Sequence, residues 1–575
     1  MAAKKSAGKN RVFLILTGGM LVTALTVCAI LLLGNAGAAD ETQRVIELGT
    51  ALRGVSVGGV DISGMTKGEA LAATAALPQR LLDQVSFTVD VSGESKVLTA
   101  GDLALATDYE QAVAKAMAYG RTGSFDERLA AANAAKDTGA DFPVNVVADE
   151  AQLAAALTAL KTRLDTEPLE AFMAFTPNGH FADGTAYDPL TYDKAAKGEP
   201  QLVMLAEDER PNRLRYEYYN DTRFEKEDNI PKDAYISRFY YTSEQTGIDV
   251  DLADLAAQIS AALQSGDYAP ITAKVTVTEP STTVAMLKSQ TQLVSSWTSS
   301  YSEHDSGPRV KNVTKLSGII NGQVLQPGVE WSINETAGDR TVARGWAEAD
   351  GISDGGYTKQ PGGGVCQISS TLFNAAIRSG LFYNDHTSTT AGENGYKWGI
   401  EVTFWQHHSI ISGYIPLGLD ATISTGGPDL KLLNHCTTSF YIVSYMDTKK
   451  ECVTIEIYGQ TVVHPQYGDV ILSYTFDDLG VSGTATRSIY YNQTQTPDGK
   501  PIPWNGSADF GVSQNGRKVQ TYRHYYSAAD GAAVGDEKFE YHYYRTINPG
   551  TYCHYPETGP VVTPAPEVSS APVIP

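Results

Sequence analysis

Cysteine is scarce in this chain, with five in 575 residues at positions 28, 366, 436, 452 and 553, and that scarcity excludes a disulfide-dense scaffold. Positive charge is in deficit as well: 44 Lys and Arg stand against 66 Asp and Glu. The resulting net charge of −22 argues against nucleic acid as a partner, because a phosphate backbone needs clustered cations. Long hydrophobic runs are missing except for one. Val12 to Leu33 carries no charge and is long enough to span a bilayer as a helix, and Lys4, Lys5, Lys9 and Arg11 precede it. Positive charge on the short side predicts a cytoplasmic N-terminus (1–11), an uncleaved signal-anchor at 12–34 and a single-pass protein in the cell membrane with its bulk extracytoplasmic. The competing reading is a cleaved signal peptide ending near Ala36 and Ala38, against which stands the length of the apolar run.

The length requires several domains. The stretch Gly54 to Ala73 has strand material at Val55, Val57, Val60 and Ile62, followed by Thr66 and Glu69 in capping-box spacing. A helix-compatible segment runs from Tyr109 to Tyr119 and closes on Gly120. Phe239 to Tyr268 has a related plan, with strand residues before a helix whose Leu252, Leu255, Ile259 and Leu263 share a face, ending at Gly266. The two stretches suggest an internal repeat. Between them lie an alanine-rich amphipathic helix, around Glu150 to Leu164, and a polar, tyrosine-rich insertion from about Tyr187 to Asp233. Cys436 and Cys452 flank a hairpin with strands near Phe440 to Tyr445 and Val453 to Tyr458. Pairing about its turn does not set the two cysteines opposite each other, so no bridge is expected. Strand-like runs such as Val470 to Tyr474 and Lys518 to Arg523 follow. Proline then recurs from Pro556 to Pro575, as in a disordered tail.

Chemistry concentrates in PGGGVCQISSTLFNAAIRSG, from Pro361 to Gly380. Gly362, Gly363 and Gly364 permit a sharp turn and close approach of another molecule. Ile368, Leu372, Ala375 and Ile377 fall roughly on one helical face, which puts Cys366 at a helix N-terminus, where a thiolate is stabilised. A nucleophilic thiol needs a base and a group to orient it. In FWQHHSIISGYIPLGLDATIS, His407 and His408 open one strand-like run and Asp420 the next. In a strand the two histidines face opposite ways, so only one can meet Cys366. Cys366, His408 and Asp420 are the candidate catalytic set, in an order and spacing that resemble papain-like and transglutaminase-like thiol sites. Gln367 is a candidate oxyanion donor, or a residue facing solvent; Ser369, Ser370 and Thr371 read as helix residues with local hydrogen bonds. The alternative for Cys366 is a buried packing residue, for His408 an ordinary hydrogen-bonded histidine, and for Asp420 a turn residue. A metal site from His386, His407, His408, or His435 with Cys436 lacks the tight spacing of a structural zinc motif, and no metal or other cofactor is expected.

At these residues the chain resembles the VanW-like family. The resemblance covers roughly Ser295 to Gly459, through LQPGVEWSINETAGDRT, GGGVCQISSTLFNAAIRSGL, HHSIISGYIPLGLDATIS, DLKLLNHCTTSFYIVSY and VTIEIYG. The motif positions it carries over are Gly364, Cys366, Gln367, His408, Ser409 and Asp420. Two departures are a lengthened segment from Phe382 to Thr403 and the Phe404 to Gln406 run, which stands where an arginine is common. Upstream, Gly54 to Pro280 loosely resembles the peptidoglycan-binding modules of exported bacterial proteins, and Gly516 to Tyr526 resembles the glycine-containing β modules that often end cell-wall proteins.

The resemblance implies an exported bacterial cell-wall protein, and with the N-terminal apolar run the expectation is a membrane-anchored, extracytoplasmic protein of multidomain α+β fold. Its modules span 45–125 and 126–290, a VanW-like α+β domain of transglutaminase-like or papain-like character spans 295–460, a β-rich region spans 461–556, and the tail spans 557–575. Peptidoglycan is the expected partner. Two functions stay open: a cysteine-dependent amidase or acyltransferase on stem peptides, using Cys366, His408 and Asp420 with Gly363, Gly364, Gln367 and Ser409 binding substrate, or a non-catalytic peptidoglycan-binding scaffold with a structural Cys366.

Overall fold

The computed structural model describes residues 48–181, 235–301, 307–353, 356–381 and 397–558, with a few isolated positions besides. The expected signal-anchor, His386, nearly all of the polar insertion and the end of the tail lie outside the described residues. No helix among the described residues is long and apolar enough to cross a membrane. The chain forms two compact units, one from 1–169 with 245–281 and the other from 170–244 with 282–575.

The first unit has two small cores. In one, Val55–Val57 pairs antiparallel with Val60–Asp61 and parallel with Ala140–Phe142. Helices Lys67–Thr74 and Tyr109–Ala118 bury Ala70, Val113 and Ala116 against Val55, Val57 and Ile62. The capping box forms as its spacing predicts: Thr66 Oγ1 accepts from the Glu69 N–H, and the Glu69 carboxylate accepts from the Thr66 N–H at 2.8 Å. The other core joins the hairpin Ser86–Val91 and Glu94–Thr99 to helices Glu150–Ala159 and Leu252–Ser265, through Phe87, Val89, Leu98, Leu153, Leu157, Leu255 and Ile259. Each core thus draws on segments distant in sequence. The expected continuous helix to Leu164 is interrupted at Leu160, whose N–H is shared among the carbonyls of Ala156, Leu157 and Thr158, and a short helix Lys161–Leu164 follows.

In the second unit an antiparallel sheet runs in the order Gln292–Ser300, Cys452–Gly459, Phe440–Asp447, Val324–Leu325. The hairpin Phe440–Asp447/Cys452–Gly459 forms as its sequence predicts, with Cys436, Cys452 and Cys553 buried and unbridged. Every residue of the central strand Cys452–Gly459 is buried. Val453, Ile455 and Ile457 join the core beneath two helices, Gly307–Ile320 and Cys366–Ile377, while Tyr458 faces Phe239, Leu293 and Val443. The cysteine helix lies close on the edge strand because small side chains face it: Ser295 Oγ donates to the Ala375 carbonyl at 2.7 Å, and Ser299 bonds Thr371 at 2.7 Å.

A second sheet, Glu330–Ser332, Lys431–Asn434, Trp398–Phe404, Gly380–Leu381, and the hairpin Glu348–Ser353/Gly356–Pro361 flank the helix. The β-rich C-terminal region forms long strands, Gly468–Gly483, Gly516–Ser527 and Ala533–Tyr544. It shares the core of the cysteine helix, since Val470, Leu472, Tyr474 and Tyr525 belong to the same cluster and Tyr474 Oη donates to the Ile377 carbonyl at 2.6 Å.

Phe373 on the cysteine helix is fully buried and packs its ring 5.5 Å from that of Trp405. Phe373→Ala should therefore cost about 3–5 kcal/mol in a urea titration of the second unit, whereas Thr66→Ala, losing only a cap, should cost about 1 kcal/mol in the first.

Candidate active site

The cysteine helix begins where the glycine turn ends. Gly362 and Gly364 have φ of +83° and +95°, values that favour glycine. The turn is packed by the protein's own groups: a Cβ at Gly363 would overlap the Ala349 carbonyl, one at Gly364 would lie 2.5 Å from Arg309 Cγ, and one at Gly362 3.0 Å from Arg340 Cβ and Cδ. The glycines therefore seat two arginines and a neighbouring strand, and the expected glycine-lined cleft is filled from within. Gln367 neither faces solvent nor reaches an oxyanion. Fully buried, its Nε2 donates to Ser299 Oγ at 3.0 Å and to the Ser300 carbonyl at 2.9 Å, and its Oε1 accepts from Arg309 at 2.8 Å.

Residues His407 to Ser424 form no strand, contrary to the sequence pattern. Pro416 lacks a donor, Gly418 turns at φ +76°, and the backbone is tied instead by isolated contacts such as Thr422 N–H to the Gln406 carbonyl at 2.8 Å. This loop folds over the helix. Ser370 Oγ accepts from the Ala421 N–H and donates to the Ala421 carbonyl, both at 3.0 Å, and Ser369 Oγ donates to that same carbonyl at 2.6 Å. Ser369 and Ser370 thus join helix to loop, where the sequence suggested only local bonds.

The loop brings His408 to Cys366. Cys366 is partly exposed; its Sγ lies 3.3 Å from Thr422 Oγ1 and 3.5 Å from the Ile423 carbonyl, with the His408 side chain in hydrogen-bonding reach. Burial pushes the thiol up, but the bond and charge of His408, with Thr422 and Ile423, outweigh it and bring the thiol to about 7. The helix end contributes less than its position suggests, because the N–H groups of Gln367 and Ile368 already donate to the carbonyls of Gly364 and Val365. The His408 side chain is fully buried, which opposes its charged form, yet Asp420 and Cys366 hold it above its ordinary value. Its Nε2 lies 3.3 Å from Ser370 Oγ and from the Ala421 carbonyl, and its Nδ1 lies 3.2 Å from Ser412 Oγ and 3.6 Å from Asp420.

Asp420 is a hub. Its Oδ2 accepts the His408 backbone N–H at 2.5 Å, and its Oδ1 accepts from Tyr544 Oη and lies 3.1 Å from His407 Nδ1. Burial opposes its charge, and the two histidines and Tyr544 more than compensate, so the carboxyl stays far below its usual range. It grips the His408 backbone more closely than the His408 ring. His407 faces away from the thiol, toward Asp420 and Glu540, and these carboxylates raise it to about 9 despite burial. Ser409 is half-buried, with its carbonyl accepting from Gln514.

Sequence reasoning missed His407 and Tyr544 as partners of Asp420, Glu540 as the second carboxylate on His407, and Arg309 and Arg340 as neighbours of the thiol. Arg340 lay within the quoted TAGDRT segment and His407 within the quoted HHSIIS segment; Arg309, Glu540 and Tyr544 carried no motif. One group among the described residues could hold a cation: ligand atoms of His407, Glu540 and His542 lie within 4.8 Å of one another. The His407 and His542 rings, however, lie 3.7 Å apart at a 34° tilt, which places ring faces together where converging lone pairs would be needed. The cluster reads as a histidine-carboxylate ion pair beside a neutral His542, held near 4 by burial and by the charge of His407. His435 bonds Glu401 at 2.5 Å.

A cysteine at a helix start, a buried histidine against it and an aspartate behind the histidine define an α+β domain with a thiol-imidazole site. Comparison with known proteins names it: the family described as "VanW like protein" matches residues 308–458, and the chain carries a VanW-like domain. The family described as "Putative peptidoglycan binding domain" matches residues 97–182. "Uncharacterized protein YoaR" of Bacillus subtilis (strain 168) is 33% identical over 127 residues, which are 22% of this chain and 36% of that protein's length. A crystal structure of HP0197-G5 aligns with 15% of this chain and 93% of its own at 14% identity, with a TM-score of 0.09.

Because His407 is raised in the folded state, its contribution to stability is complete below its unfolded value near 6.5 and is lost as pH rises through about 9. Between pH 6 and 9.5 the wild type should lose on the order of 2 kcal/mol more than His407→Gln by urea titration. Equal losses in the two proteins would show that the ion pair does not stabilise the fold.

Proposed function

We propose that this is a membrane-anchored, extracytoplasmic cell-wall protein whose VanW-like domain cleaves or exchanges an amide bond in peptidoglycan stem peptides through Cys366. The observation that carries this reading is the buried His408 against the Cys366 thiol, which it holds at about 7 despite burial. Such a pair favours thiolate and imidazolium near neutrality, and the two titrate as a unit. The match to a peptidoglycan-binding domain supports the cell wall as its location, and the uncharged Val12 to Leu33 run supports the anchor.

The steps follow from the pair. The Cys366 thiolate attacks the amide carbonyl carbon, and a C–S bond forms as the C–N bond breaks. His408 gives its proton to the departing amine. Water or a second amine then attacks the thioester, His408 takes the proton from that nucleophile, and the thiolate leaves. Asp420 acts as a positioning residue, fixing the His408 backbone and favouring the charged ring.

The second reading is a peptidoglycan-binding scaffold with a packing cysteine. The contacts of Sγ with Thr422 and Ile423, ordinary for a packed thiol, favour it. Purified ectodomain incubated with peptidoglycan should release or rejoin peptides seen by mass spectrometry, and Cys366→Ala should lower product by at least about a thousandfold. If wild type releases nothing while both proteins bind wall material equally, the scaffold reading stands.

A further inference from the structure

We infer that Arg340, backed by Arg309, forms an anion subsite beside Cys366 that receives a carboxylate of the substrate. The inference rests on the thiol reading above and adds to it the class of amide that the site selects. Both arginines are built against the turn that delivers the thiol. Arg340 lays its aliphatic stem on Gly362 and Arg309 lays its own on Gly364, so a side chain at either glycine would press on that stem. Arg340 is only 7% exposed. Its NH2 donates to Asn334 Oδ1 at 2.9 Å, while its NH1 is buried and has no partner among the described residues.

A desolvated guanidinium with an unused N–H is costly, and its planar fork matches a carboxylate. The nearby carboxylates do not satisfy it. Asp429 instead accepts from Ser332 Oγ at 2.6 Å and from the Asn334 N–H at 3.0 Å, and Arg340 forms no ion pair among the described residues. Arg309 sits with its guanidinium 5.8 Å from the Tyr414 ring centroid, and that ring lies 6.0 Å from His408. Both stems lie on the turn that leads into Cys366. Burial lowers both guanidinium groups, opposed by the charges of Tyr414 and Cys366 at Arg309 and of Cys366 and Asp429 at Arg340. An amide carrying a free carboxylate near the scissile bond would fill this place, whether that carboxylate ends the peptide or stands within it.

The test uses the thiol as its own probe in the full chain. Second-order alkylation of Cys366 by anionic iodoacetate and by neutral iodoacetamide is followed by peptide mapping, with glutathione as the free-thiol reference. The iodoacetate-to-iodoacetamide rate ratio at Cys366 should exceed that of glutathione roughly tenfold. Arg340→Gln should bring the ratio back to the reference, because the iodoacetate rate falls further than the iodoacetamide rate, which drops only with the thiolate fraction; Arg340→Lys, which keeps charge without the fork, should fall between. A wild-type ratio equal to that of glutathione, or an equal fall of both rates in Arg340→Gln, overturns the subsite. An iodoacetamide rate at Cys366 no faster than that of glutathione at matched pH would instead sink the activated thiol, so the two failures are distinct. Protection by a short peptide acid, or by a peptide amide with a glutamate side chain, separates a terminal from an internal carboxylate. Protection by either that is lost in Arg340→Gln supports the subsite, and protection by neither counts against it.

Discussion

The site depends on one buried carboxylate. Asp420 accepts the backbone N–H of His408, pairs with the ring of His407 and accepts from Tyr544, so a loop without regular structure is held from three sides. Charge in a buried place is costly unless it is paired and fully bonded, and here the pairing settles the protonation of the histidines around it. His407 is held as a cation between Asp420 and Glu540 until pH rises through about 9; His408, fixed by its backbone, is left to meet the thiol. Without Tyr544 and Glu540 from the strand Ala533–Tyr544, neither arrangement would be complete. The same C-terminal sheet shares a hydrophobic core with the cysteine helix, through Val470, Leu472, Tyr474 and Tyr525.

The glycine run has a related logic. Three glycines before a cysteine invite the reading of a ligand cleft, but their missing side chains make room for Arg309, Arg340 and the Ala349 carbonyl. The turn thus brings positive charge to a place where burial alone would disfavour a thiolate. Gln367, buried beneath, orients Arg309 and closes the edge strand through Ser299 and Ser300.

Much of this was legible in the sequence because it depends on local rules. The Thr66 and Glu69 cap, the helix after Cys366, the Phe440–Asp447 hairpin and the strand runs at Val470 to Tyr474 and Lys518 to Arg523 follow from period, capping and turn chemistry, which act over a few residues. Cys366, His408 and Asp420 could be named because histidine and aspartate beside a glycine-cysteine motif are conspicuous. What stayed hidden was set by distant contacts. Tyr544 stands 124 residues from Asp420 and Glu540 133 residues from His407, and nothing in an alternating strand marks them as partners of that pair. The strand pattern at His407 to Ser424 misled for the same reason, since Ser370 and Asp420 satisfy that backbone in place of a neighbouring strand. The first unit repeats the lesson, its two cores each assembled from separated segments.

The central claim is that His408, more than the helix end, activates the thiol. The pH dependence of iodoacetamide capture at Cys366 measures this directly, in wild type and in His408→Ala. The account predicts an inflection near 7 in the wild type. It also predicts a shift to or above the free-thiol value of about 8.5 once the imidazole is removed. An inflection that stays in place without His408, or one already at the free-thiol value in the wild type, would contradict it.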